Sequence, residues 1–385
     1  MYHIHKEKTL TYLILEDATY YCGFSFGAKA PTLEQLNENK TTGELIFNTS
    51  MVGYQEIISD PSYEGQIVVF TYPHIGNYGI KIGDEENILE KKIHTKAIVV
   101  KEYYQGEVAS DKITLHQYLL ENGIVGISGI NTRDLTLHLR DKGFKRATIV
   151  ECEKLEKKEL DKVVSHLLAF PFISSLNPVE KVSTKEIIEN PKIDVPINKL
   201  YESKKHFALV DFGIKKSIIK SLYKRGVKVT LFPPTFNFKE ILNANFDALF
   251  LSNGPGDPEV QTSAIENVKK LMGKLPILGI CLGHQIITLA IGGTTKKMAF
   301  GHHGGNQPVT NMESKKTFVT SQNHSFVSAS LPEGTDIWFI NSNDMSIEGI
   351  KVPKYKMMSV QFHPEAGPGP REGESIFDEF IEGAN

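Results

Sequence analysis

The chain has 385 residues, with 43 Lys+Arg against 46 Asp+Glu and a formal net charge of −3. At about 150 residues per domain that length suggests two or three domains. Apolar residues at 40% and charged residues at 23% exclude a disordered chain, and the balanced charge leaves no basic footprint for nucleic acid. Three widely spaced cysteines, Cys22, Cys152 and Cys281, cannot build a disulfide framework and suit a reducing compartment. The apolar run from Tyr12 to Leu15 is too short for a signal-peptide core and is followed by Glu16 and Asp17. No stretch approaches the ~18 apolar residues of a membrane span. A cytoplasmic protein without a membrane partner is expected.

In chain order, residues 9–27 read as two short strands around a polar turn at Glu16-Asp17. Residues 41–79 are rich in Gly and turn residues and carry few helix signals, with a turn at Asp60-Pro61-Ser62. A strand is expected over 96–104, a helix over 114–123 and a buried strand over 124–129. The spacing predicts a helix over 131–143, capped by Asn131 or Thr132 and stopped at Gly143. Residues 153–168 read as a charged amphipathic helix with a solvated Lys/Glu face. Four prolines (Pro171, Pro178, Pro191 and Pro196) then mark a boundary.

From His206 the pattern becomes regular. Strands at HFALVDFG, VKVTLFPP, DALFLS and PILGI alternate with helices at IKKSIIKSLYKRG, FNFKEILNANF, TSAIENVKKLMGK and from about Leu282 to Ile291. Short apolar strands alternating with such helices imply a parallel sheet covered on both faces, with its ligand site beyond the C-terminal strand ends. The expected fold is α/β: a doubly wound, mostly parallel C-terminal sheet over 196–385, plus an N-terminal mixed α+β domain over 1–195, joined near 190–205.

Three motifs sit where that rule directs attention. In Gly279-Ile280-Cys281-Leu282-Gly283-His284-Gln285 the cysteine stands between a buried strand and a helix, with glycines at −2 and +2. That is the strand-turn-helix spacing of a nucleophile elbow with Cys in place of Ser, and a helix N-terminus favours the reactive thiolate. A buried core cysteine is the competing reading. His363-Pro364-Glu365 ends the strand-like run 357–362. In extended chain, residues two apart share a face, so Glu365 can orient His363 as the base a Cys nucleophile needs. The turn Ser252-Asn253-Gly254-Pro255-Gly256-Asp257-Pro258 offers backbone N–H groups to an oxyanion. It is no phosphate loop, because no Gly-Lys-Ser/Thr follows.

In this order, G-x-C-x-G-x-Q, S-N-G-P-G-D-P and H-P-E resemble the triad-type (class I) glutamine amidotransferases. The N-terminal run FNTSMVGYQEIISDPSY…TYPHIGN, with GHHGGNQPV and SQNHSF, is similar to the small (glutaminase) subunits of carbamoyl-phosphate synthases. The resemblance covers nearly the whole chain. It implies Cys281 as nucleophile, His363 as general base and acid, and Glu365 as the orienting carboxylate. It implies an oxyanion hole from the N–H groups of Gly256 and Leu282. It further implies L-glutamine held by Ser62, Gly254, Gly256, Leu282, Gln285, Asn323, Ser325 and Phe326. The family usually has Gly where Ser325 stands. A contact through backbone atoms would survive that change, whereas a position needing positive φ would cost about 1 kcal/mol.

The resemblance also implies a large partner subunit that holds ATP and Mg and receives ammonia through an internal tunnel, since no phosphate loop is found in this chain. No cofactor of its own is expected. No metal is expected at His302, His303 and His324 either, because no carboxylate or Cys ligand spacing accompanies them; they read as shaping a loop between strands. Cys22 and Cys152 read as small buried hydrophobes. Two other readings stand beside this one: the glutaminase component of another synthase, against which the N-terminal half argues, and a catalytically silent regulatory subunit, against which the intact Cys281, His363 and Glu365 argue. A cysteine protease is disfavoured. Pyrimidine and arginine supply both stay open as the product's fate.

Overall fold

The protein is described by a computed structural model covering residues 10–90, 93–193, 195 and 204–384. It is mixed α/β and divides into two compact units. The described residues up to Ser175 form the first, apart from Asp60–Ser62 and the segment from Glu86, which group with Leu176 onward. The N-terminal boundary expected at 195 therefore falls inside the second unit. The reason is packing: Val179 joins a core cluster of that unit, and Ile188 packs against another. Residues 196–203, inside the expected join, lie outside the described residues.

The first unit is a closed barrel. Its chain runs β1 (Leu10–Leu15), β2 (Tyr20–Gly27), β3 (Gly43–Asn48), α1 (Tyr54–Ser59), β4 (Gln66–Phe70), β5 (His74–Ile75), β6 (Ala97–Val99), β7 (Glu102–Tyr103), α2 (Leu115–Glu121), β8 (Val125–Ser128), α3 (Thr132–Lys142), β9 (Lys145–Glu151) and α4 (Lys157–Ala169). The barrel order is β1-β2-β8-β6-β4-β3-β9, with β5 and β7 pairing separately. The expected hairpin forms with Leu13 opposite Tyr21. Asn131 caps α3, accepting from Asp134 N, and Gly143 ends it. β3 and β4, read only as turn-rich sequence, are fully buried parallel neighbours. Alternation along β1 turns Tyr12 and Ile14 toward Val163 and Leu167 of α4. Phe26, Ile46, Val68 and Ile98 pack with residues of α1 and α2.

The second unit continues with α5 (Val179–Val182), β10 (Ile188–Glu189), β11 (His206–Val210), α6 (Lys216–Lys224), β12 (Lys228–Phe232), α7 (Phe238–Asn243), β13 (Ala248–Leu251), α8 (Thr262–Leu271), β14 (Ile277–Ile280) and α9 (Leu282–Ala290). Then come β15 (Thr294–Asn311), β16 (Thr317–Ser330), β17 (Asp336–Asn341), β18 (Ile347–Val352), β19 (Met357–Val360) and α10 (Ile376–Gly383). The sheet order is β10-β12-β11-β13-β14-β19-β18-β16-β15-β17. β12, β11, β13, β14 and β19 are parallel, whereas β18, β16, β15 and β17 form an antiparallel extension.

Alternate residues of the parallel strands feed two separate cores. Phe207, Leu209, Phe250 and Leu278 pack with Ile218 and Leu222 of α6 and Phe377 and Phe380 of α10. Ala208, Val210, Leu249 and Leu251 pack with Ile241 of α7, Val268 of α8 and Ile286 of α9. Both faces being covered, the strands read as continuous apolar runs. Among the described residues no helix is long and apolar enough to cross a membrane.

Candidate active site

The C-terminal ends of β13, β14 and β19 release Ser252-Asn253, Cys281 and the His363 segment, where open parallel sheets bind ligands. Cys281 caps α9 with φ 53° and ψ −105°. That conformation is costly for a residue with a Cβ, by about 1–3 kcal/mol, and it is the strained strand-to-helix turn of a nucleophile elbow. Gly283 lets the turn close, because a Cβ there would stand 2.2 Å from Leu251 O. The Gly283 N–H donates to Ser252 O at 3.0 Å, and Cys281 N donates to Val360 O at 2.9 Å. The elbow is thus tied to the 252–258 turn on one side and to β19 on the other.

His363 follows β19, its N–H donating to Ser321 O at 2.8 Å. Its Nδ1 lies 2.6 Å from Glu365 Oε1. A nitrogen facing a carboxylate carries the proton, which directs Nε2 elsewhere. Nε2 is buried without a hydrogen-bond partner among the described residues, with the Cys281 thiol near enough to act on it. The thiol itself points at Asn323 O, 3.5 Å away.

The charges here are set by one another. Burial pushes the His363 imidazole down, but the Glu365 charge and the Cys281 thiol outweigh it and hold the ring up at about 10. Burial pushes Glu365 up, but the charges of Lys215 and His363 outweigh that and hold it down at about 2. Lys215, wholly buried, places Nζ 3.1 Å from Glu365 Oε1 and donates to Ala366 O. Burial opposes its charge, yet the Glu365 carboxylate keeps the ammonium above its ordinary range.

Around this centre the other expected residues gather in part. Asn253 Nδ2 donates to Ser62 Oγ at 2.8 Å, and Asp60–Ser62 counts with this unit. Gln285 Nε2 donates to Phe326 O at 2.7 Å and to Gln361 Oε1 at 3.0 Å. Asn323 Nδ2 donates to Asp60 Oδ2 at 3.2 Å. Gly256 has φ +93°, and a Cβ on it would meet Pro178; Gly254 shares its turn, and Leu282 opens α9. Ser325 lies in β16 outside the positive-φ residues, so replacing glycine there costs no left-handed strain.

A family model described as Glutamine amidotransferase class-I matches residues 208–383, and one described as Carbamoyl-phosphate synthase small chain, CPSase domain, matches residues 13–149. The chain is 44% identical to the carbamoyl phosphate synthase small chain of Aquifex aeolicus, covering 96% of this chain and 97% of that one. It is 43% identical to the Clostridium perfringens small chain, over 96% of this chain and 98% of the relative. The corresponding Methanocaldococcus jannaschii protein is 42% identical, over 96% and 97%. The chain belongs to the carbamoyl phosphate synthase small-chain family.

Lys215, Asp60 and Asn253 were not expected at the centre of this small-chain family site. Asn253 Oδ1 accepts from Lys215 N at 3.0 Å, and Asp60 Oδ1 accepts from Ser62 N at 2.8 Å. Asp60 carried a signal, the Asp-Pro-Ser turn, in which the carboxylate bonds the backbone two residues ahead. Lys215 carried none, because its partner Glu365 is remote in sequence.

Two expectations are corrected. Cys22 is exposed and Cys152 half-buried; β2 alternates, and Cys22 falls among its outward residues. His302 and His303 lie within β15, not a loop. Their side chains diverge as strand neighbours do: His303 Nδ1 meets Asn323 Oδ1 at 2.8 Å, while His302 faces Glu348.

Proposed function

We propose that this chain is the glutaminase subunit of a carbamoyl-phosphate synthase, hydrolysing the side-chain amide of L-glutamine and passing ammonia to a large subunit. The observation that carries the reading is Cys281 at a strained elbow, with a His363–Glu365 pair beside it. Cys281 Sγ attacks the amide carbon, its proton held on His363. The N–H groups of Gly256 and Leu282 take the oxyanion as it forms. His363 delivers its proton to the departing nitrogen, which leaves as ammonia, and a glutamyl thioester remains on Cys281. Water then attacks the thioester, His363 accepts its proton, and glutamate leaves as the thiolate re-forms. Glu365 keeps the imidazole in the tautomer that serves both steps.

In this reading glutamine rests on Ser62, Gly254, Gly256, Leu282, Gln285, Asn323, Ser325 and Phe326. No cofactor takes part in this chain's own hydrolysis. The large partner subunit holds ATP and Mg and makes carbamoyl phosphate from bicarbonate, in the reducing cytoplasm that a thiol nucleophile suits.

The test is Cys281→Ser in the purified two-subunit assembly. Glutamine-dependent carbamoyl phosphate formation should fall by at least about 10³-fold, the order lost when a nucleophile is removed, while formation from free ammonia persists. Glutamine-dependent synthesis surviving in that variant would sink the mechanism.

A further inference from the structure

His302 on β15 and His324 on β16 are cross-strand partners, and their rings meet edge to face at 5.0 Å. Glu348 on β18 approaches both, its Oε1 3.5 Å from His302 Nδ1 and 4.0 Å from His324 Nε2. One ligand atom from each residue falls within 4.8 Å of the other two. Glu348 is wholly buried, and its Oε2 has no hydrogen-bond partner among the described residues.

Both nitrogens of His302 are occupied. Nε2 lies 3.1 Å from Asp344 Oδ2, and Nδ1 lies 3.5 Å from both Glu348 Oε1 and Asn341 Nδ2, so a cation between Nδ1 and Oε1 would stand where a proton otherwise does. His324 Nδ1 lies 2.9 Å from Phe326 O, and its Nε2 turns toward Glu348 and toward Gln322 Oε1 at 2.9 Å. Metal-bound imidazoles are held this way, the far nitrogen donating to a carboxylate or carbonyl.

We propose that His302 Nδ1, His324 Nε2 and Glu348 form a site for one borderline divalent cation, zinc foremost. Two imidazoles and a carboxylate are a zinc donor set that leaves a fourth position open. Ligands of one tetrahedral zinc stand about 3.4 Å apart given its bond lengths, so a pair at the 4.8 Å limit must close by about 1.4 Å. The three ligands are buried, and a groove of about 580 Å³ passes next to them, lined by Gly301, Asp344, Ser346 and Ile347. An ion here would cross-link β15, β16 and β18 beside Asn323.

The experiment is zinc and cobalt(II) binding to the full chain after chelator treatment. One zinc per chain is expected, with a four-coordinate cobalt spectrum lacking a thiolate-to-metal band, and Cys281→Ser should leave the affinity unchanged. Asp344→Ala should weaken binding about 10–100-fold, as loss of an outer partner does, and Glu348→Gln should weaken it further. Asp344 is partly exposed, so its variant decides the matter if Glu348→Gln fails to fold. Absence of bound zinc overturns the proposal. So does zinc that disappears with Cys281→Ser, or affinity that Asp344→Ala does not change.

Discussion

Glu365 has two cations within reach, His363 and Lys215, and all three are buried. Such a cluster ties folding to protonation. Glu365 sits at about 2 against an ordinary 4.5, so its stabilisation is complete above 4.5 and lost as pH falls toward 2. His363 sits at about 10 against an ordinary 6.5, so its stabilisation is complete below 6.5 and lost as pH rises through 10. Both are whole only between those ordinary values. Urea midpoints across pH should therefore be highest between pH 4.5 and 6.5 and decline on either side. Glu365→Gln should flatten the alkaline decline, because it removes the charge that raises His363; an unchanged alkaline limb would refute this account. Cys281, His363 and Glu365 were legible because a tight elbow and an i, i+2 pair are local in sequence. Lys215 and Glu348 were not, because each acquires its meaning only from a partner brought in by the sheet.

At the scale of elements, the β14–α9 junction carries the site, and its tolerance is small. A Cβ on Gly283 would meet the Leu251 carbonyl, which is backbone of β13 and cannot rotate away. Gly283→Ala should push α9 off β13, costing about 1–3 kcal/mol as overpacking does. It should also lower glutaminase turnover more than that stability loss explains, since the shift moves the Cys281 sulfur and the Leu282 N–H together. Denaturation and steady-state assays on the same preparation check both effects. The alternation from His206 to Ile291 was readable because strands buried on both faces are unbroken apolar runs between helices of about ten residues. β15 and β16 were not, because the Gly-rich β15 pairs with the polar β16 through repeated register shifts, at Lys297/His302 and again at Gly304/Gln307. A bulge breaks the period of two on which strand reading rests.

For the whole molecule, the question is where glutamine is felt. Every proposed glutamine contact lies in the second unit once Asp60–Ser62 is counted there, and the barrel carries none of them. Ligand binding stabilises only the states that hold the site, by about 2.7 kcal/mol at a hundred times Kd. Hydrogen exchange on Cys281→Ser, chosen to block turnover, should therefore slow with glutamine in α9, in the 252–258 turn, in β16 around Asn323 and at residues 60–62. Strands β1, β2 and β9 of the barrel should exchange as before. ATP with Mg should change neither set, because nothing in this chain reads as a phosphate cradle and the proposal assigns that chemistry to the partner. The 60–62 segment is the most discriminating readout. It belongs to the N-terminal part of the sequence and is hydrogen-bonded to Asn253 and Asn323, so protection there is expected when the hydrogen-bonded frame around Cys281 is occupied. Protection confined to residues beyond 206 would leave Ser62 outside the glutamine site and restrict the binding surface to the C-terminal sheet.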